Sequence, residues 1–134
     1  MRIAVTSQNF RTVTGHAGRA RRFIVFEGES NTPPQELERL DLAPNMSMHD
    51  FDANASHPLD AMAVVITAGA GEGFVRRLAA RGVRVVATDE SEPHQAVEAF
   101  LAGRFRAATV GHPHSTVVEE VRVSLPSRKK PAGE

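Results

Sequence analysis

The chain has 134 residues, a single-domain length that buries roughly 65–70% of the unfolded surface on folding. Its 16 Lys and Arg balance 16 Asp and Glu, so no net field draws nucleic acid or cations toward it. There is no cysteine, which excludes disulfides and any zinc or iron–sulfur centre held by this chain's own thiolates, and no apolar run approaches the ~20 residues of a membrane span. Residues 2–6 (Arg-Ile-Ala-Val-Thr) are an apolar run of strand length, ended by the turn-prone Ser7, Gln8 and Asn9. Residues 22–27 (Arg-Phe-Ile-Val-Phe-Glu) read as a second, mostly apolar and therefore central strand. After a turn at 28–31, residues 36–42 alternate polar and apolar with period two, which predicts a third strand with one solvated face, antiparallel to the second. Residues 43–61 follow neither period and are broken by Pro44, Asn45, Asp50, Asp52, Asn54, Ser56 and Pro58. So long a loop in a compact domain is functional or disordered. Only a short helix near 58–62, begun by Ser56 or His57, is expected within it.

Residues 63–67 (Ala-Val-Val-Ile-Thr) predict a fourth strand, buried on both faces. Gly69, Gly71 and Gly73 then make a turn, and residues 72–81 a helix with Phe74, Val75, Leu78 and Ala79 on one apolar stripe. Arg76, Arg77 and Arg81 are expected on its solvent side, with Gly82 as the stop. Residues 83–87 (Val-Arg-Val-Val-Ala) form the fifth strand. The unit is a βαβ of minimal size, and its glycine-rich turn bares backbone amides just ahead of a helix, which favours an anionic ligand. A second helix is expected from an N-cap at Ser91, with Pro93 in its first turn, Ala96, Val97, Phe100 and Leu101 buried, and Gly103 at its end. Residues 116–125 alternate weakly and fit a strand or a short helix; residues 127–134 read as a frayed tail.

The expected fold is therefore α/β, with a mixed five-stranded sheet (three antiparallel strands plus a parallel βαβ) and two to three helices. A domain over residues 1–106 is followed by an extension, 107–134, ending in a partly disordered tail. Trp and Tyr are absent, and Phe23, Phe26, Phe74, Phe100 and Phe105 fall in core-like segments, which leaves little for base stacking. Neither nucleic acid nor a membrane is an expected partner, and with no leader-like segment in residues 1–20 a cytoplasmic protein is expected.

Three passages carry a family resemblance: Met1-Arg-Ile-Ala-Val-Thr, then Gly15-His-Ala-Gly-Arg-Ala followed by Phe23-Ile-Val-Phe, and Ala68-Gly-Ala-Gly-Glu-Gly through Ala102-Gly103. Over about residues 1–105 the chain resembles the small-domain family of nitrogenase iron–molybdenum cofactor biosynthesis proteins. The His-x-Gly-Arg-Ala loop at residues 16–20 is the most distinctive part. The resemblance implies a ribonuclease H-like fold. It implies a non-enzymatic carrier for an iron–sulfur or iron–molybdenum-type metallocluster, bound transiently in cofactor assembly for nitrogen fixation, with nitrogenase assembly proteins as partners. Other members of the family have no established role, which keeps open a cofactor-free interaction or regulatory domain of the same fold. Two departures are visible: the 46–59 loop replaces the family's glycine- and histidine-rich segment, and residues past Arg106 have no counterpart.

The expected cofactor-binding residues are His16, Gly18, Arg19, Gly69, Gly71 and Gly73, with His16 and His57 as metal ligands. A neutral imidazole can ligate iron or molybdenum, and a guanidinium beside it can pair with an anionic cluster. The plainer alternative for His16 is a loop histidine bonded to a backbone carbonyl, and for the glycines a tight strand-to-helix turn. Met46, Met48, His49 and His57 offer soft and imidazole donors, or merely anchor a loop. His112 and His114 bracket Pro113 in the extension. Nuclease chemistry of the ribonuclease H type is not expected, because it needs a carboxylate on the first strand and residues 2–7 contain none. An enzyme using Arg19 with Asp50 or Asp52 on a small anionic substrate is a further alternative, and Asp89 or Glu90 stands at a dinucleotide-like offset from the glycines.

Overall fold

A computed structural model of the chain describes residues 1–109 and 117–121. Seven strands form one sheet: β1 (Arg2–Thr6), β2 (Arg22–Glu27), β3 (Gln35–Asp41), β4 (Val64–Thr67), β5 (Arg84–Thr88), β6 (Phe105–Thr109) and β7 (Val117–Val121). Two helices, α1 (Glu72–Ala80) and α2 (Pro93–Leu101), connect β4 to β5 and β5 to β6. Across the sheet the order is β3-β2-β1-β4-β5-β7-β6. Strands β1, β4, β5 and β7 run parallel to one another, whereas β2 is antiparallel to both β1 and β3, and β6 is antiparallel to β7.

The five strands expected from the sequence take neighbouring places with the expected pairings, and the parallel βαβ unit is β4-α1-β5. Two further strands extend the sheet beyond β5. Within the ambiguous stretch 116–125 the strand reading holds, because β7 finds a parallel partner in β5. The short Phe-Arg-Ala-Ala-Thr run of β6 carries little strand signal of its own and is ordered by its pairing with β7. Part of the 107–134 extension thus adds to the same sheet, while the tail at 127–134, His112 and His114 lie outside the described residues.

The period-two pattern of the strands sorts their side chains into two cores. Ala4, Phe23, Val25, Val65 and Val85 face one layer, made by Phe74, Val75 and Leu78 of α1 together with Met48, Leu59 and Met62 of the long loop. Ile3, Val5, Ile24, Phe26, Val64, Ile66 and Val86 face the other, made by Ala96, Val97, Ala99 and Phe100 of α2. The molecule is a sheet covered on both faces, as parallel strands require. Strand β3 is the exception: it forms one edge, is almost wholly exposed and is studded with Glu36, Glu38, Arg39 and Asp41.

Helix α2 starts one residue later than its sequence suggests. Pro93 takes the first helical position, where its missing N–H costs nothing, and this makes Glu92 rather than Ser91 the N-cap. The Glu92 carboxylate accepts from the amides of His94 (3.2 Å) and Gln95 (3.0 Å), and its charge also suits the positive end of the helix. Among the described residues no helix is long and apolar enough to cross a membrane.

Candidate functional site

Because β1 and β4 are adjacent and parallel, with Val5 opposite Ile66, their last residues Thr6 and Thr67 leave the sheet at the same rim. Carboxyl-terminal strand ends in an open α/β sheet are the usual place for a ligand. Both threonines are fully buried, and their hydroxyls lie 2.8 Å apart. The Thr14 carbonyl lies 2.6 Å from the Thr6 hydroxyl and 3.2 Å from that of Thr67. The main chains of the two loops are also bonded directly, Ala68 N–H to Thr14 carbonyl (3.1 Å) and Ala17 N–H to Gly69 carbonyl (3.2 Å). Gly15 lies so near that a Cβ there would stand 3.5 Å from the Gly69 nitrogen. The loop after β1 and the turn after β4 are therefore one structure. Thr67→Val, which keeps shape and removes the hydroxyl, is expected to destabilise by about 1–2 kcal/mol, read by chemical denaturation, since it strips hydrogen bonds from a buried junction.

Upon this junction stands His16. It caps a single 3-10 turn, Ala17–Arg19, from the left-handed region, with φ 52° and ψ 47°. That conformation turns an exposed imidazole outward, and neither ring nitrogen bonds to a described residue. The other described histidines are all engaged: His49 with Arg19, His57 with Met46 and Leu59, His94 with Pro34.

A concavity of about 430 Å³ opens beside His16. Gly18 and Arg19 of the same loop line it, with Gly71 and Gly73 at the start of α1, and His49, Phe74 and Arg77 complete its wall. His49 is brought there by its amide, which donates to the Gly18 carbonyl at 2.7 Å. Arg19 donates to Nε2 of His49 at 3.2 Å, so this nitrogen carries the lone pair and the proton sits on Nδ1. Arg77 donates to the Met48 and His49 carbonyls, each at 3.3 Å. Among the described residues, neither Arg19 nor Arg77 has a carboxylate partner, and no Asp or Glu lines the concavity. Gly71 is the N-cap of α1 with no side chain capping the helix, so the helix's positive end adds to the two guanidiniums. The acid in the first turn of α1, Glu72, does not line the concavity and is ion-paired with Arg76 (3.2 Å).

Of the residues expected at the site, His16, Gly18, Arg19, Gly71 and Gly73 are brought together. Gly69 is used elsewhere. Its carbonyl accepts from Ala17 and its amide donates to the Thr67 hydroxyl (3.3 Å), so it ties the junction and does not face a ligand. His57 is corrected more sharply. It is 4% exposed and does not line the concavity. Its Nδ1 accepts from the Leu59 amide (3.0 Å), its Nε2 bonds the Met46 carbonyl (2.8 Å), and the Asp60 carboxylate accepts from its backbone amide (2.8 Å). With both nitrogens committed, it is the capping residue of the 3-10 turn Pro58–Ala61, as one reading of the sequence had it. Burial holds its pKa below the usual imidazole value.

Met48 is a core residue and Met46 packs beside it, so both anchor the loop. Asp50 and Asp52 accept from Ser47 and Asn54 in local turns, away from the concavity. Sequence reasoning placed Arg77 on the solvent side of α1 and missed it; its signal was the four-residue step from Gly73, which puts both on one helix face. His49 was noticed only as a loop donor. Among the described residues no group of three or more His, Cys, Asp or Glu side chains could hold a bare metal ion.

No curated protein matches the chain. The family model described as dinitrogenase iron-molybdenum cofactor matches residues 1–103, from the start of β1 to the end of the α2 turn and thus the whole of the junction and concavity. The chain belongs to the dinitrogenase iron-molybdenum cofactor family.

Proposed function

We propose that this protein is a carrier that holds an anionic metallocluster, of the iron–sulfur or iron–molybdenum type, during cofactor assembly and passes it to nitrogenase assembly proteins in the cytoplasm. Membership of a family involved in iron–molybdenum cofactor handling supports the setting. One observation carries the rest: among the described residues, an imidazole with both nitrogens unengaged stands beside two guanidiniums without carboxylate partners, in a concavity that no acid lines. A bare cation would be repelled there. A preformed cluster supplies its own sulfide ligands and its own negative charge, and needs from the protein only one or two donors and a positive surround.

In this reading His16 contributes a lone pair to a metal of the cargo, Arg19 and Arg77 offset its charge, and the first amides of α1 add weak, exchangeable hydrogen bonds. So few protein ligands suit cargo that must leave again. The strand order β3-β2-β1-β4-β5, with β2 alone antiparallel between its neighbours, supports the ribonuclease H-like assignment. Neither strand β1 nor the concavity, among the described residues, offers the carboxylates of that fold's hydrolytic chemistry, which argues against hydrolysis of that kind.

Anaerobic titration with tetrathiomolybdate, or with a preformed [4Fe–4S] cluster, is expected to give protein-bound visible absorbance. His16→Asn, which tolerates the left-handed backbone, and His16→Ala are each expected to lose most of it. Undiminished binding by both variants overturns the role of His16, and no binding by the unaltered protein overturns the carrier.

A further inference from the structure

Past the concavity, the 43–57 segment crosses α1, and between them lies a second cavity of about 320 Å³. Its walls are apolar where they meet: Met48, Phe51 and Ala53 from the segment, Ala80 from the last turn of α1. Three arginines of α1 and its C-cap also line it, and their states differ. Arg76 is ion-paired with Glu72 (3.2 Å) and Arg81 with Asp60 (2.7 Å). Arg77 bonds only the Met48 and His49 carbonyls. Of these three it is thus the one without a carboxylate partner among the described residues, and it lines both this cavity and the concavity beside His16.

We propose that this second cavity binds a small organic anion with an apolar body, of the aryl or branched-alkyl carboxylate or sulfonate class. The body lies against Met48, Phe51 and Ala80, and the anionic group is held by Arg77. A volume near the lower end of the ~300–1,000 Å³ usual for ligand pockets suits a small aryl or branched-alkyl body. The pairing of an apolar wall with a single unbalanced guanidinium selects both ends of such a molecule: an apolar solute lacks the partner for Arg77, and an inorganic anion leaves the wall wet. Arg81 sets the cavity's shape. Only 10% exposed, it donates to Asp60 and to the Asp52 carbonyl (3.1 Å), and so pins the segment over the helix. The site needs no metallocluster, and it shares Arg77 and Gly73, but not His16 or Arg19, with the concavity of the carrier reading.

A fluorescent member of the proposed class is 1-anilinonaphthalene-8-sulfonate, which is nearly dark in water and brightens against an apolar wall. Titrating the full chain is expected to give saturable binding of one probe per molecule with blue-shifted emission. Ala80→Phe on the helix and Ala53→Leu on the segment, both at exposed positions, fill the cavity from opposite sides and are each expected to weaken the probe at least tenfold while leaving tetrathiomolybdate binding unchanged. His16→Asn is expected to do the reverse. Absence of saturable binding, or affinity in both filled variants equal to that of the unaltered protein, overturns the proposal. Loss of probe and tetrathiomolybdate together in the filled variants also overturns it, because the two cavities would then be one site.

Discussion

An alanine in place of His57 is expected to lower stability by about 3 kcal/mol, measured by chemical denaturation at neutral pH. The imidazole makes three contacts at once. It caps the Pro58–Ala61 turn through Nδ1, it satisfies the Met46 carbonyl eleven residues earlier through Nε2, and its ring meets Phe51 edge-on at 4.6 Å. Losing a cap costs about 1 kcal/mol and an orphaned buried carbonyl about 1–3 kcal/mol more. The damage should be local first: amide exchange in residues 46–59 is expected to quicken well before that of β1 or β4.

The same residue sets a pH dependence. Burial depresses its pKa below the ordinary value of about 6.5, so the folded protein binds fewer protons than the unfolded chain and stability rises with pH. That contribution is complete above about pH 6.5 and is lost as pH falls from there toward the depressed value. The unaltered protein is expected to show a falling denaturation midpoint from about pH 6.5 to 5, before most carboxylates titrate, and His57→Ala a flatter curve. A variant with an undiminished slope would show that another group carries it.

At the concavity the largest effect is expected from Arg19→Glu, which should weaken tetrathiomolybdate binding by at least about 100-fold. Removing one charge-assisted contact accounts for about 10- to 100-fold, and the introduced carboxylate adds repulsion in a site that otherwise has none. Arg19 is exposed and its side chain bonds only His49, so the fold should be untouched and the melting curve unchanged. Arg19→Gln should fall between. The affinity of the unaltered protein should decline with added salt more steeply than that of either variant, because screening acts on the charge that they lack. Equal affinity in all three proteins would remove Arg19 from the binding surface.

What could be read from the sequence follows from where the determinants lie. The first five strands were legible because their runs are short, bounded by turn residues and either apolar or of period two, and the minimal βαβ was legible from Gly69 to Gly82. The convergence of the His16 loop with the glycine turn was legible too, since parallel neighbours must end at one rim. The 43–57 segment was opaque. It is held by carbonyls of Met48, His49, Asp52 and Ala53 accepting from Arg77 and Arg81, and a carbonyl acceptor leaves no mark in a residue pattern. For the same reason His57 resembled a ligand: its chemistry suits a metal, and only the folded chain reveals that the Leu59 amide and Met46 carbonyl have already claimed it. Strand β6 was hidden because its order depends on a partner more distant in the chain.

The close approach of Gly15 to Gly69 means that the junction beside the concavity consists of main chain, held by main-chain hydrogen bonds and the two buried hydroxyls of Thr6 and Thr67. Exchange of surface side chains can hardly alter its contour. On the carrier reading proposed above, discrimination between one cargo and another would come from the irregular strap of residues 43–57, which brings His49 to the concavity, and from the few clasps that fasten it to α1. On that reading the architecture would divide labour between a rigid base that sets the position of the charges and a replaceable roof that decides which charged body fits.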